Sequence, residues 1–573
     1  MNLAMMQSKI AKYCFAPFSK SDYVIALILA ILTLILCAGQ VNSGHHWGDD
    51  FAGYIVQGIA LAKGTSAQYI AENTFMWEKT DWVFGPKAYP WGFPLLLAPI
   101  YKIFGFNLVA FKSVGIICYA LFVGIFYIFC ANRLPKIYAI FGSLLFALNP
   151  FLTHFATNEI LSDIPFLLFG FCALIILARL FADSKIYPSL ADGEQRANHT
   201  QKAPPLAGGV GVGYSNANGK IDCHDSLRES RNDGISVTGG GICPYLIAIF
   251  GGIFMLFSAM IRINGLVILC ALITMHGILL AKRFAPQIFK TRILTPFAKV
   301  DSPYSWKIHA IPYAIFIAGF FIISIALSSG TARHTDYLTM INAQTMLNNL
   351  KAINFTWFIR LESGVDSVIL WLCVPFIALG IYAPFRTKDA KAINENIFYA
   401  IFALGFFALL LLWVAFDRRF LFLLLPFAVF WSFKGVLYVN QKLFSRAVAV
   451  LLVFILANLV WINARDISFA NSDTNPDNAY NAEARELYKF IIDNTPKDTI
   501  FITFKPRVLY LATHRRSFVS PKIERLDEAD FVLWNGKYVQ DLHTMQDISS
   551  PAFVAKTNLI FENAEYKLFK VLK

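Results

Sequence analysis

Apolar runs long enough to cross a lipid bilayer recur along this chain, and they fix its fold class before any motif is read. A helix needs about 20 predominantly apolar residues to span the hydrocarbon core. Such runs lie at Ser21 to Gly39 and near 106 to 131, 137 to 153, 164 to 181, 244 to 261, 265 to 281, 309 to 328, 367 to 384, 397 to 416, 420 to 435 and 446 to 463. They number about eleven. In lipid every backbone polar group has to be satisfied internally, so each run is read as a helix. With 57% hydrophobic and 15% charged residues, the chain is far from a soluble globular balance. The expected fold is an α-helical polytopic membrane protein whose transmembrane part covers 1–463, followed by a small α/β domain over 464–573.

The net charge of +13 would suggest a polyanionic partner in a soluble chain. Here Lys and Arg gather in short loops between spans, as the positive-inside rule asks, so no nucleic acid is implied. The first span follows Lys9, Lys12 and Lys20 and lacks a cleavage site of the Ala-x-Ala type, which reads as a retained helix. The run Pro90 to Gly105 is short and carries Pro90, Pro94 and Pro99, which suits a surface or re-entrant helix. If that run does not cross and the amino terminus is cytoplasmic, the basic loops around Arg133, Lys282 to Lys307, Arg386 to Lys391 and Lys442 all face the cytoplasm. The outward loop 41–105, Glu159, Asp163, Arg262, the loop 329–366, Asp417-Arg418-Arg419 and the tail then share the outer compartment. A cytoplasmic membrane is the expected location. None of the nine cysteines falls in an outward loop, so no disulfide framework is implied.

Residues 182–243 are rich in Gly, Ser, Asn and Asp and read as a flexible cytoplasmic insert. Its Gly209-Val210-Gly211-Val212-Gly213 lacks the strand-turn-helix setting of a phosphate loop. In the tail, a helix is expected at 480–493 and β-rich stretches at Thr499 to Phe504, Phe531 to Trp534 and Glu565 to Val571.

Asp49 and Asp50 stand together at the membrane surface, where an adjacent carboxylate pair is costly unless something uses it. They suit general base catalysis on an acceptor, or a divalent cation such as Mg or Mn holding a phosphate. The plainer alternative is a helix N-cap, which accounts for one aspartate but not two beside His45-His46-Trp47. His45 and His46 with Asp49 also offer zinc-type donors, at a spacing that matches no standard motif. Glu159 and Asp163, four apart, share a helix face before the span at Ile164. Arg262, Arg418 and Arg419 lie on the outward side against the usual bias, and arginine binds phosphate bidentately. Snorkelling to headgroups is the alternative for all three.

Taken in order and sidedness, these residues resemble the GT-C superfamily of polyprenyl-phosphate-sugar glycosyltransferases, within it the group of protein O-mannosyltransferases and the bacterial lipid A aminoarabinose transferase. Asp49-Asp50-Phe51-Ala52-Gly53-Tyr54 is similar to that family's acidic motif, and Tyr89-Pro90-Trp91-Gly92-Phe93-Pro94 to its juxtamembrane helix. Leu161-Ser162-Asp163-Ile164-Pro165, Arg262-Ile263-Asn264-Gly265 and Arg419-Phe420-Leu421 resemble its outward turns, and Lys505-Pro506-Arg507 with Tyr510 its outer domain.

The resemblance implies a GT-C-like, inverting enzyme that moves a hexose or pentose from a polyprenyl phosphate to a lipid, glycan or protein acceptor. In that reading Asp50 with Asp49 activates the acceptor, and Glu159 and Asp163 orient it or a metal. Arg262, Arg418 and Arg419 hold the donor phosphate, and Arg507 and Tyr510 contribute from the tail. The family often has Asp-Glu where this chain has Asp-Asp, and the insert has no counterpart. Two rival readings are a flippase of a lipid-linked glycan, which would place charges near the midplane and show an internal repeat, and a non-catalytic scaffold.

Overall fold

The computed structural model of the chain describes residues 19–81, 85–181, 244–291, 297, 300–302, 304–327, 341–353, 358, 365–386, 389–413, 416–439, 442–470, 478–536 and 547–573. The insert 182–243, with its glycine run, and much of the loop 329–366 lie outside the described residues.

Helix α1 (Lys20–Ala38) opens with a capping box between Ser19 and Asp22. The segment between α1 and the next long apolar helix folds into α2 (Asp49–Lys63), α3 (Ser66–Lys79) and α4 (Gly92–Phe104). At 13 residues α4 is too short to span a bilayer. After α5 (Leu108–Ala131), α6 (Lys136–Ala147) and α7 (Pro150–Thr157) form one apolar unit bent by 51°. The bend has a local cause: Asn149 accepts from Leu152 N and caps α7, and Pro150, which has no N–H to donate, fits its first turn. The helical part continues with α8 (Asp163–Leu177), α9 (Pro244–Ile261), α10 (Leu266–Phe284), α11 (Trp306–Ala326), α12 (Ala343–Ala352), α13 (Val365–Arg386), α14 (Ala390–Leu412), α15 (Leu425–Val439) and α16 (Lys442–Ala470).

Nine helices among the described residues are long and apolar enough to cross a membrane, ten if the bent α6–α7 pair is one span. The chain is a multi-pass membrane protein. The remaining expected span, 367 to 384, falls on α13, where the stretch Cys373–Arg386 counts as a shorter apolar helix. Inside the bundle, α5, α6, α8 and α15 meet through an aromatic cluster of Phe122, Phe126, Phe146, Phe171 and Phe427. α13 and α15 cross at a reciprocal pair of glycines: a Cβ on Gly380 would strike the Trp431 carbonyl, and one on Gly435 the Phe376 carbonyl.

The tail adds α17 (Ala482–Asn494), α18 (Pro506–Thr513), α19 (Pro551–Lys556) and a five-stranded sheet. Its strands are β1 (Ile500–Ile502), β2 (Arg516–Phe518), β3 (Phe531–Asn535), β4 (Thr557–Glu562) and β5 (Tyr566–Val571), in the order β2-β1-β3-β5-β4. β1 runs parallel to β2 and β3, while β5 is antiparallel to β3 and β4. One sheet face buries Ile502, Phe518, Val532 and Phe569. Phe501, Leu533 and Leu568, on the alternate positions, belong to the core that continues into the membrane part. The tail docks on the segment between α1 and α5: Ala479 N donates to the His45 carbonyl at 2.7 Å, Arg516 pairs with Glu72 at 2.7 Å, and Arg525 with Asp81 at 2.9 Å.

Candidate active site

Gly48 occupies the N-cap of α2, so Asp49 and Asp50 fall in the first helical turn, where the helix dipole favours negative charge. Capping does not use their side chains, and the two carboxylates part company. Asp49 Oδ1 accepts from Arg507 N at 3.1 Å, and its Oδ2 is buried with no hydrogen-bond partner. Burial pushes the Asp49 carboxyl up, against the pull of the Arg507 and Lys505 charges. Asp50 turns the other way. Its Oδ1 accepts from the Tyr89 hydroxyl at 2.6 Å, and its Oδ2 lies 3.6 Å from Arg419 Nη2, with 43% of the side chain exposed.

Asp50 opens onto a cavity of about 420 Å³ that Tyr89, Asp163, Arg262, Arg419 and Phe420 also line. Asp163, 3% exposed, starts α8; its Oδ1 takes a hydrogen bond from Arg262 Nη1, and its Oδ2 lies 3.8 Å from Arg419 Nη1. Arg262 follows the last residue of α9, and Arg419 sits in the 3-10 turn Arg418–Leu424 before α15. Both guanidinia lie over the Phe420 ring, at 4.8 and 5.5 Å from its centroid, a contact that holds cations flat without neutralising them. Arg419 is thus shared among Asp50, Asp163 and Asp417, whose Oδ2 lies 3.1 Å from its Nε. The far wall is apolar, formed by Phe320, Ile323 and Leu327 at the end of α11.

Behind the aspartates stands Arg507 of α18, 3% exposed. It donates from Nη1 to the Tyr89 hydroxyl at 2.5 Å, from Nε to Asn73 Oδ1 at 3.1 Å and from Nη2 to the Pro86 carbonyl at 2.9 Å. Burial holds the Tyr89 phenol well above its usual range, so it remains a donor to Asp50. Gln57 fixes the Tyr89 backbone from both sides, donating to its carbonyl at 2.7 Å and accepting from its N–H at 3.0 Å. The approach needs glycine at 53, where a Cβ would lie 2.7 Å from the Tyr89 ring and 3.2 Å from Arg507 Cδ.

The structure therefore brings Asp50, Asp163, Arg262 and Arg419 to one cavity and sets Asp49 and Arg507 directly behind it. Arg418 and Tyr510 do not line it; Tyr510 borders a small pocket beside Arg507, with Tyr69 and Asn73. Glu159 is drawn away into a cluster with His45, His46 and His154, at 3.7, 3.0 and 3.6 Å. Burial acts to raise the Glu159 carboxyl, but hydrogen bonds from His154 and His46 hold it well below the usual carboxylate range. Among the described residues the group able to hold a metal is His45, His46 and Glu159, with donor atoms within 4.8 Å of one another; Asp49 and Asp50 are not part of it. Tyr89, Gln57 and Asn73 were given no role by sequence reasoning. Tyr89 lay within a motif already singled out, yet nothing local marks a tyrosine as the partner of an aspartate 39 residues earlier.

No family model matches the sequence, and no curated protein matches it. Solved structures do. The oligosaccharyltransferase of Archaeoglobus fulgidus, tethered with an acceptor peptide containing the NVT sequon, aligns at a TM-score of 0.51 and 11% identity over 97% of this chain and 74% of that one. The archaeal oligosaccharyltransferase AglB from Archaeoglobus fulgidus, in complex with an inhibitory peptide and a dolichol-phosphate, aligns at 0.50 and 12% over 94% and 72%. The chain has a GT-C fold. ArnT from Cupriavidus metallidurans bound to undecaprenyl phosphate is similar over 96% of this chain and 98% of its own, at 10% identity and a TM-score of 0.47. The cavity lies where Asp163 at the start of α8 and the ends of α9 and α11 meet the loop between α1 and α5.

Proposed function

We propose that this GT-C protein is a membrane glycosyltransferase that moves one sugar, with inversion, from a polyprenyl-phosphate donor to a lipid, glycan or protein acceptor on the outer face of a cytoplasmic membrane. The observation that carries the reading is the cavity itself, where a carboxylate with one oxygen turned inward faces two arginines and an apolar wall. The similar structures named above were solved with dolichol-phosphate, undecaprenyl phosphate or an acceptor peptide, which supports a lipid-linked donor of this kind.

In this mechanism Tyr89 holds Asp50 Oδ1, and Oδ2 lies beside Arg419 until the donor phosphate engages the guanidinium. Oδ2 is then free to take the proton of the acceptor hydroxyl or amine as that atom attacks the anomeric carbon. The bond from that carbon to the phosphate oxygen breaks, and its electron pair leaves on the polyprenyl phosphate. Arg262 and Arg419 receive the developing charge, the kind of electrostatic stabilisation that usually dominates such a site. Asp163 orients both arginines. Asp49 and Arg507 support Asp50 from behind, Arg418 and Tyr510 act at the periphery, and Glu159 belongs to the histidine cluster. Should a divalent Mg or Mn ion take part, Asp50 and Asp163 are the carboxylates on the cavity able to meet it. The test is transfer from isotope-labelled polyprenyl-phosphate sugars by the purified protein, with mass spectrometry of lipids and proteins. Absence of transfer with every such donor, or full activity of Asp50→Asn, would overturn the assignment.

A further inference from the structure

Three carboxylates surround Arg419, and each comes closest to a different nitrogen of its guanidinium. Nη2 lies 3.6 Å from Asp50 Oδ2, Nη1 3.8 Å from Asp163 Oδ2 and Nε 3.1 Å from Asp417 Oδ2. Asp50 and Asp163 line the cavity, whereas Asp417 does not. Asp417 is the N-cap of the turn Arg418–Leu424, and its Oδ1 accepts from Arg419 N at 3.1 Å. One side chain thus addresses the same arginine at two points, the main-chain amide and the Nε edge. Capping accounts for Oδ1 alone. Oδ2 is turned to an Nε that is buried and makes no aligned hydrogen bond among the described residues.

We propose that Asp417 is a positioning residue that holds the Nε edge of Arg419, so that its Nη1 and Nη2 edge stays turned to the cavity for the phosphate of a lipid-linked donor; the inference rests on the function proposed above. A guanidinium is a planar fork, and it captures a phosphate bidentately only when two N–H groups on one edge face the oxygens. Phe420, with its ring centroid 5.5 Å away, steadies the plane, but a flat ring leaves rotation within that plane open. The direction of the fork therefore has to come from an acceptor at its edge. Asp50 Oδ2 gives Arg419 up when the donor engages it, and Asp163 also serves Arg262. Asp417 stands clear of the proton transfer and of the donor. Its side chain is 45% exposed, so solvent screens the pair and the effect is moderate.

The full-length protein and its variants, purified in detergent, are assayed for transfer from an isotope-labelled polyprenyl-phosphate sugar and, separately, for binding of polyprenyl phosphate without sugar. Asparagine caps as well as aspartate does, so Asp417→Asn keeps the turn while setting an amide N–H against the Arg419 Nε–H. It is expected to raise the donor KM and the Kd for polyprenyl phosphate about five- to tenfold, with the acceptor KM and the thermal midpoint unchanged. Asp417→Glu, which keeps the charge, recovers part of the loss. Lysine has no Nε, so with Arg419→Lys already in place Asp417→Asn adds no further loss. Additive losses in that double-mutant cycle, or a parental donor KM and Kd in Asp417→Asn, overturn the proposal and leave the glycosyltransferase reading standing. A parent that binds polyprenyl phosphate but transfers no sugar overturns that reading alone, since the cycle in Kd still tests Asp417. A parent that does neither overturns both.

Discussion

Asp50 owes its aim to a phenol. Tyr89 holds one carboxylate oxygen, Arg507 donates to Tyr89 from behind, and the second oxygen lies beside Arg419 on the cavity. A hydrogen bond to a charged group is worth about 1.5–3 kcal/mol, so Tyr89→Phe is expected to slow kcat by about ten- to a hundredfold with KM nearly unchanged. A changed KM at constant kcat would show that Tyr89 contacts substrate and does not act through Asp50. Asp50→Asn removes the proposed base while keeping its shape and should cost about a hundredfold or more in rate. Arg419→Lys keeps the charge and loses the fork, so it should raise the KM for donor without abolishing transfer; a parental KM would take Arg419 out of the phosphate site. Much of this site was legible in the sequence because Asp50, Asp163, Arg262 and Arg419 are charges near the ends of apolar runs, where lipid makes an idle charge expensive. Arg507 was legible only through a resemblance, and Tyr89 not at all, since 418 residues separate the two and no periodicity joins them. Glu159 and Asp163 looked like one pair on one helix face; in the structure α8 begins at Asp163, so Glu159 lies in the preceding loop and turns toward histidines.

Among the elements, the spans followed directly from hydropathy, since lipid permits few solutions for a run of that length. The break between α6 and α7 did not, although Asn149-Pro150 spells a cap and a first-turn proline once the break is known. In the tail, β1, β3 and β5 were anticipated, whereas β2 is only 3 residues long and β4 has a mostly exposed alternation too weak to stand out. The α13–α15 crossing depends on backbone contact at Gly380 and Gly435. Gly435→Val should force these helices apart at a cost of about 1–3 kcal/mol, seen as a lower thermal midpoint in detergent; an unchanged midpoint would mean that the crossing is looser than it looks. α8 and α9 pack along each other as a hairpin with the insert between Phe181 and Pro244. Its composition cannot bury a core, so deleting Ser189 to Gly240 should leave transfer within a few-fold, and loss of activity in a normally expressed deletion would assign the insert a role.

For the whole molecule, docking of the tail on α2, α3 and the loop before them means that the tail and the acidic pair share one side of the membrane. Reporter fusions after Lys307 should read cytoplasmic, and those after Gln344 and Lys573 should read outside; a cytoplasmic signal at Lys573 would reverse the orientation proposed for the site. The rim of this docking is made of ion pairs such as Lys522 with Asp81, which salt screens, while its centre is the buried Arg507 that salt reaches far less. Arg507 also comes after every described span in chain order. A nascent chain therefore threads all of its helices into lipid while Asp50 still lacks its backing. Asp50 gains that support only once the tail has folded against it, so under the proposed function an unfinished chain in the membrane would be a silent one.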